Sequence, residues 1–299
     1  MIAKPSRRIF LLSILTTFGF FTSGRFTAAA QQLNAFKGED VFNHILAKAG
    51  QGNWLHLPIG DLMGKIAKEL EGTPYQSATL ELSLDHEICS VDLSALDCVT
   101  FFETTLALAR MLKMGGRTPA DLLRTVSFTR YRGGVVGDFS TRLHYTTDWF
   151  VDNERKGVVK LLSDLPGAEA FTQKVGFMSN HPDSYRQLIA HPQLVAKIKS
   201  EEEAINSRSL KFIPMDKIAA VEPLLRTGDI VGVCTNQPGL DIAHTGLIWR
   251  DDEGVAHFMD ASSMKSKRKV TIEPGPISHA LNWSKNLTGA MFARPLEPS

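Results

Sequence analysis

Ser94-Ala95-Leu96-Asp97-Cys98-Val99-Thr100-Phe101-Phe102-Glu103 opens the clearest helical stretch of the chain, Ser94 to Leu112. Ser94 can cap this helix, Asp97 falls in its first turn, and Gly115-Gly116 ends it. Val99, Phe102, Leu106 and Leu112 recur at helical spacing and predict one buried stripe. Cys98 then lies in the first turn, where free amides and the helix dipole favour a negative charge on the thiol. A thiolate nucleophile also needs an imidazole to hold the ion pair and protonate a leaving amine. Without such a partner, a helical cysteine is simply a small buried hydrophobe.

His244 is the partner the sequence offers. It starts a strand within Asp241-Ile242-Ala243-His244-Thr245-Gly246-Leu247-Ile248, just after the strand of Gly228-Asp229-Ile230-Val231. A third group should orient the imidazole. Alternation along Val255–Asp260 puts His257 on one face and Asp260 on the other, so the two compete and only one can point at His244. Asp260-Ala261-Ser262-Ser263 falls at a strand end, where loops expose site residues, and this favours Asp260.

Outward from these motifs, residues 31–72 read as helices, with apolar spacing near 3.6 in Val41–Lys48 and Leu62–Leu70 and Gly72 as a C-cap before Thr73-Pro74. Thr79–Leu84 and Glu87–Leu93 read as short strands around a turn. Between Pro119 and Pro223 the pattern is mixed, with helices at Ala120–Val126 and near Val195–Ile205. Beyond Gly228 come strands at Asp229–Thr235, Thr245–Arg250, Val255–Met259, Lys269–Ile272 and Ala290–Arg294. Helices first and strands later indicate an α+β domain.

The 299 residues are 43% hydrophobic and 22% charged, a globular composition. A net charge of +1 argues against nucleic acid as a partner. The first thirty residues hold Lys4, Arg7, Arg8 and Arg25 and no acid, an apolar run from Ile9 to Phe21, and Ala28-Ala29-Ala30. That is the layout of a signal peptide, with twin arginines in Ser6-Arg7-Arg8-Ile9-Phe10-Leu11. Removing those four from the 33 basic residues leaves 29 against 32 acidic, a balance of −3. An exported, periplasmic protein is expected, with no membrane contact once the signal is cleaved, and a monomer. Three cysteines are too few for a disulfide framework; Cys89 and Cys234 read as core residues, or as a pair in an oxidising compartment. No zinc motif, P-loop or dinucleotide fingerprint appears, so neither a metal nor another cofactor is expected.

Gly72-Thr73-Pro74-Tyr75, Leu96-Asp97-Cys98-Val99-Thr100-Phe101-Phe102-Glu103, Gly228-Asp229-Ile230-Val231 and His244-Thr245-Gly246 together resemble the papain-like NlpC/p60 superfamily of cell-wall cysteine amidases. Ser140-Thr141-Arg142-Leu143-His144-Tyr145-Thr146-Thr147-Asp148-Trp149 and Phe177-Met178-Ser179-Asn180-His181-Pro182 are similar to its N-acetylmuramoyl-L-alanine amidase-like subfamily. The likeness covers most of residues 60–295. One position departs: relatives carry His before Ala-Ser-Ser, and this chain has Asp260, which can still accept an imidazole N–H. The resemblance implies a nucleophile helix packed on an antiparallel sheet that carries the histidine. It implies Cys98, His244 and Asp260 as the catalytic set, with Tyr75 and Asp97 beside them and the Cys98 amide as oxyanion donor. It implies hydrolysis of the amide between N-acetylmuramic acid, preferentially its 1,6-anhydro form, and L-alanine in muropeptides and peptidoglycan fragments. An endopeptidase cutting D-glutamyl-diaminopimelate and a silent wall-binding module are the rival readings.

Cys98 and His244 stand 146 positions apart, far more than a strand connection needs. Long intervening segments are usually functional or form a subdomain, so residues 117–222 are expected to wall the cleft and read the sugar. Arg142, His144, Tyr145, Asp148 and Trp149 are the most chemical residues there. In an extended chain Arg142, His144 and Asp148 share one face, with Tyr145 and Trp149 on the other. Arg142 suits a substrate carboxylate, or else an internal salt bridge with Asp148.

Overall fold

A computed structural model describes residues 35–299; the signal-peptide reading of residues 1–30 falls outside them. The helical expectation for residues 31–72 resolves into β1 (Phe36–Lys37), α1 (Glu39–Gln51) and α2 (Ile59–Glu69). Gly72, at φ +88°, turns the chain after α2, and its N–H donates to the carbonyl of Val270. From there residues 73–76 run between Leu96 and the segment around Lys269. Gln76 to Ser90 forms no strand, and only β2 (Val91–Asp92) pairs, in parallel with β1. The alternation in Thr79–Leu84 has no facing strand to meet, and Leu82 and Leu84 stay exposed.

The central helix, α3 (Cys98–Lys113), begins three residues later than the Ser94 cap suggests. Ser94 turns back onto Asp92, while Leu96 is held extended by backbone bonds to Pro74 and Gln76. Asp97 is therefore the N-cap. Its carboxylate accepts from the Thr100 N–H at 2.7 Å, and the Asp97 N–H donates to the Thr100 hydroxyl at 2.8 Å, a reciprocal box. Nor does α3 show a single stripe, because every residue from Thr100 to Leu112 is buried. A helix apolar all round lies inside a core.

Beyond α3 come α4 (Pro119–Arg130), α5 (Thr146–Arg155), β3 (Val159–Leu161), β4 (Glu169–Phe171), α6 (Leu194–Asn206) and β5 (Leu210–Pro214). Then follow β6 (Ile230–Thr235), β7 (Ile242–Arg250), β8 (Ala256–Ala261), β9 (Val270–Ile272) and β10 (Leu287–Pro295). The eight strands β3 to β10 form one antiparallel sheet in the order β4-β5-β10-β6-β7-β8-β9, with β3 also on β10. The class is α+β, as the order of elements predicts.

Strand alternation sorts the sheet's two faces. Ile230, Cys234, Leu247, Met259, Met291 and Ala293 join the core of α1 to α5. Val231, Val233, Ile248, Phe258, Ala290 and Phe292 form a second core with Ile218, Val221, Ile277 and Leu281. The 117–222 region adds a third, around Phe139, Tyr145, Met178, Leu188 and Ile198. Gly228-Asp229 is a structural joint. A Cβ at Gly228, φ +85°, would lie 2.5 Å from Gly60, and buried Asp229 binds Arg294 at 2.7 and 2.8 Å. No helix among the described residues is long and apolar enough to cross a membrane.

Candidate active site

The capping box sets Cys98 as the first residue of α3, half-buried, with its amide at the positive end of the helix dipole. His244 lies on β7 opposite Val233, just past a bulge in the β6–β7 ladder at Ala243. Asp260 lies on β8, whose register with β7 puts it diagonally across from His244 on the same face. Its Oδ2 is 2.5 Å from His244 Nε2, and both side chains are largely withdrawn from water. With Nε2 committed to Asp260, Nδ1 is left for the hydrogen bond that joins the imidazole to Cys98.

Electrostatics follow from that geometry. Burial alone would push His244 down, but the charge and hydrogen bond of Cys98 and the carboxylate of Asp260 outweigh it and raise the imidazole to about 10. Asp260 Oδ1 is buried with no protein partner, so its hydrogen bond from the imidazole is the one that satisfies the carboxylate. Tyr75 is held beside Cys98 by the Leu96 bridge, with the Arg268 guanidinium 5.4 Å over its ring. Burial raises its hydroxyl, and so do the charges of Cys98 and Asp97. His257, the competing candidate, faces away: its Nε2 meets Asp251 at 3.0 Å.

The five residues expected to read a substrate are placed elsewhere. Arg142 is buried, 3.3 Å from Glu87, and stacks on Phe139; its acidic partner is not Asp148. Asp148 is buried against Arg132 and Arg208. The Tyr145 hydroxyl donates to Glu202, and the Trp149 indole donates to Glu103 at 2.9 Å. His144 bonds the Phe139 carbonyl, and burial with the Arg142 charge drives it down to about 3. Arg142, His144 and Tyr145 lie in the segment leading into α5, and Asp148 and Trp149 lie in α5 itself, so the extended-face expectation fails. Their polar groups are spent on partners within the fold, two of which, Glu87 and Glu103, come from outside the 117–222 region.

The cavity beside His244 and Asp260, about 240 Å3, is lined by residues 243 to 283 and by none from 117–222. Trp283, Ser262 and Lys267 line it, and sequence reading passed over all three. Only the adjacency of Ser262 to Asp260 hinted at any of them. Cys89 and Cys234 carry free thiols, both raised by burial.

A family model described as AmiA-like, N-acetylmuramoyl-L-alanine amidase-like, matches residues 65–277, and the chain belongs to that family. Among solved structures, an N-acetylmuramoyl-L-alanine amidase from Bacteroides uniformis is 29% identical, with a TM-score of 0.73 over 80% of this chain and 99% of that one. A Bacteroides fragilis protein provisionally described as a xylanase is 30% identical, with a TM-score of 0.69 over 78% and 99%. A Legionella pneumophila protein of the DUF1460 family shares the fold at 17% identity, with a TM-score of 0.62 over 93% and 98%. No curated protein matches the chain.

Proposed function

We propose that the protein is a papain-like cysteine amidase of the NlpC/p60 type that hydrolyses the bond between N-acetylmuramic acid and L-alanine. The observation that carries this is the alignment of a helix-start cysteine, an imidazole held protonated and a carboxylate 2.5 Å behind it. Cys98 Sγ attacks the lactyl carbonyl, and the Cys98 amide receives the developing oxyanion. His244 gives its proton to the departing alanine nitrogen as the C–N bond breaks, leaving a thioester. A water then gives its proton to His244 and its hydroxide to the thioester, which frees the lactyl carboxylate and restores the thiolate. Asp260 holds the ring in the orientation this needs, and Tyr75, beside Cys98, supplies a second donor to the oxyanion.

The substrates proposed are soluble 1,6-anhydro-muropeptides, met in the periplasm after export. Family membership supports the bond cleaved. A glycosidase reading fits the site less well. Glycoside hydrolysis runs on two carboxylates flanking the bond, whereas Asp260 is bound to His244 and Glu273 to Lys267. The deciding experiment is mass spectrometry of defined anhydro- and reducing-end muropeptides digested by wild type and by Cys98→Ala. Wild type should release peptide beginning at L-alanine and the variant none. Release beginning at diaminopimelate, or full activity in the variant, would sink the proposal.

A further inference from the structure

Trp283 is 44% exposed, whereas Trp54 and Trp149 are buried. It sits in the loop between the short helix Ile277–Ala280 and β10, next to Leu281, which is buried in the second core. Its ring is stacked on Phe258 at 6.4 Å and 18°, and stands edge-on to His244 at 5.8 Å and 86°. The indole is thus fixed from one side by two rings of the site, while much of its surface stays in water at the cavity.

The rest of that cavity mixes apolar Ala243, Met264 and Ala280 with polar side chains. Ser262 and Ser263 line it, and Lys267 is paired with Glu273 there. Charges therefore cancel in pairs, Lys267 with Glu273 and the His244 imidazolium with Asp260. A site for the carboxylates of a peptide stem would need surplus positive charge. A neutral pocket with one aromatic wall and a hydroxyl-bearing, hydrogen-bonding rim suits a neutral ring with an apolar face and polar edges. At about 240 Å3 it lies just below the ~300–1,000 Å3 range of pockets for drug-sized ligands. One sugar ring fits that description; a glycan strand does not.

Resting on the amidase reading, we infer that Trp283 is the platform of a pyranose subsite. The apolar face of the aminosugar stacks on the indole, its polar edge meets the Ser262–Lys267–Glu273 rim, and the lactyl carbonyl is delivered to Cys98. Trp283 is thereby a specificity-determining residue on the acyl side of the bond, supplied from outside the 117–222 region.

The test compares an anhydromuramoyl dipeptide with the same dipeptide carrying a lactyl methyl ether in place of the sugar. For Trp283→Ala the ratio of kcat/KM between the sugar and sugar-free substrates should fall about tenfold, mainly through KM. Trp283→Phe should keep most of the ratio. A loss striking both substrates equally, or an unchanged ratio in Trp283→Ala, would overturn the inference. A binding arm does not depend on turnover. In the Cys98→Ala protein the anhydromuramoyl dipeptide should shift the tryptophan emission to the blue, the sugar-free dipeptide should not, and the shift should vanish when Trp283→Phe is added. No shift with the sugar ligand also overturns it. Wild type cleaving neither dipeptide while the shift persists would instead break the amidase reading and leave the subsite standing.

Discussion

His244 and His144 are both withdrawn from solvent, yet they rest in opposite charge states. Burial disfavours the imidazolium in each. At His244 the charge and hydrogen bond of Cys98 and the carboxylate of Asp260 outweigh that cost and raise the ring to about 10. At His144 the Arg142 guanidinium adds to the cost, the one bond to a backbone carbonyl does not offset it, and the ring falls to about 3. The regions around them differ in the same way. Around His244 polar groups border a cavity. In Arg142–Trp149 an equally chemical set of side chains is paired off internally. Chemical residue types mark where a site can be; how many of their bonds the fold has already used marks where it is.

Four tests bear on this contrast, in falling order of effect. Asp260→Asn leaves the shape but replaces the carboxylate, and kcat should fall by about 10²–10⁴. A steady-state assay showing less than a threefold loss (~3) would mean the imidazole needs no carboxylate. Next, Arg130→Met leaves Glu103 buried without its ion partner at 2.7 Å, for a loss of about 3–5 kcal/mol in denaturant unfolding. Activity per folded molecule should survive. Cutting the tie between the two regions costs less. Asp241, just before β7, accepts from both the N–H and the hydroxyl of Thr147 at 2.8 Å, so it joins the start of α5 to the strand that bears His244. Asp241→Ala should destabilise by about 1–3 kcal/mol and lower kcat more than it raises KM, because the strand start carries His244. The smallest effect is expected of Arg142→Ala. Stability should drop, since Glu87 loses its partner, but KM should stay within about twofold. A KM raised tenfold (~10) would restore this residue to substrate contact.

The two histidines also predict a two-sided pH profile. His244 is raised above its unfolded value of about 6.5, so its contribution to stability is full below that pH and is lost as pH climbs through about 10. His144 is depressed, so its contribution is present above about 6.5 and is lost as pH falls towards about 3. Melting temperatures of wild type, His244→Gln and His144→Asn across pH 3–10 (about that range) check both arms. Removing His244 should flatten the alkaline arm, and removing His144 the acid arm.

Much of the fold can be read from local chemistry. Asp97-Cys98 before an apolar run ends in a helix start whatever surrounds it, because the cap bond spans three residues. The strands beyond Gly228 declare themselves by short runs of four to seven residues divided by turn residues, and their order after the helices decides the α+β class. The expected strand at Thr79–Leu84 fails because pairing needs a neighbour, which alternation cannot report. The cap at Ser94 fails for a similar reason, since Leu96 is held by Pro74 and Gln76 from across the fold.

For the candidate site the division is physical. Cys98 and His244 are recognisable because a helix terminus and a strand start are local features that already bias thiol and imidazole chemistry. A place at a strand end favours Asp260 over His257 in the sequence, but only the β7–β8 register sets it across from His244. Showing that Arg142, His144, Tyr145, Asp148 and Trp149 are occupied required their partners at Glu87, Phe139, Glu202, Arg208 and Glu103, several of them dozens of residues away. Trp283 carries no motif and gains its meaning from Phe258 and His244 beside it. Short-range chemistry sets where each element begins and which charge a side chain prefers. Long-range packing decides which of those side chains still have a bond to give.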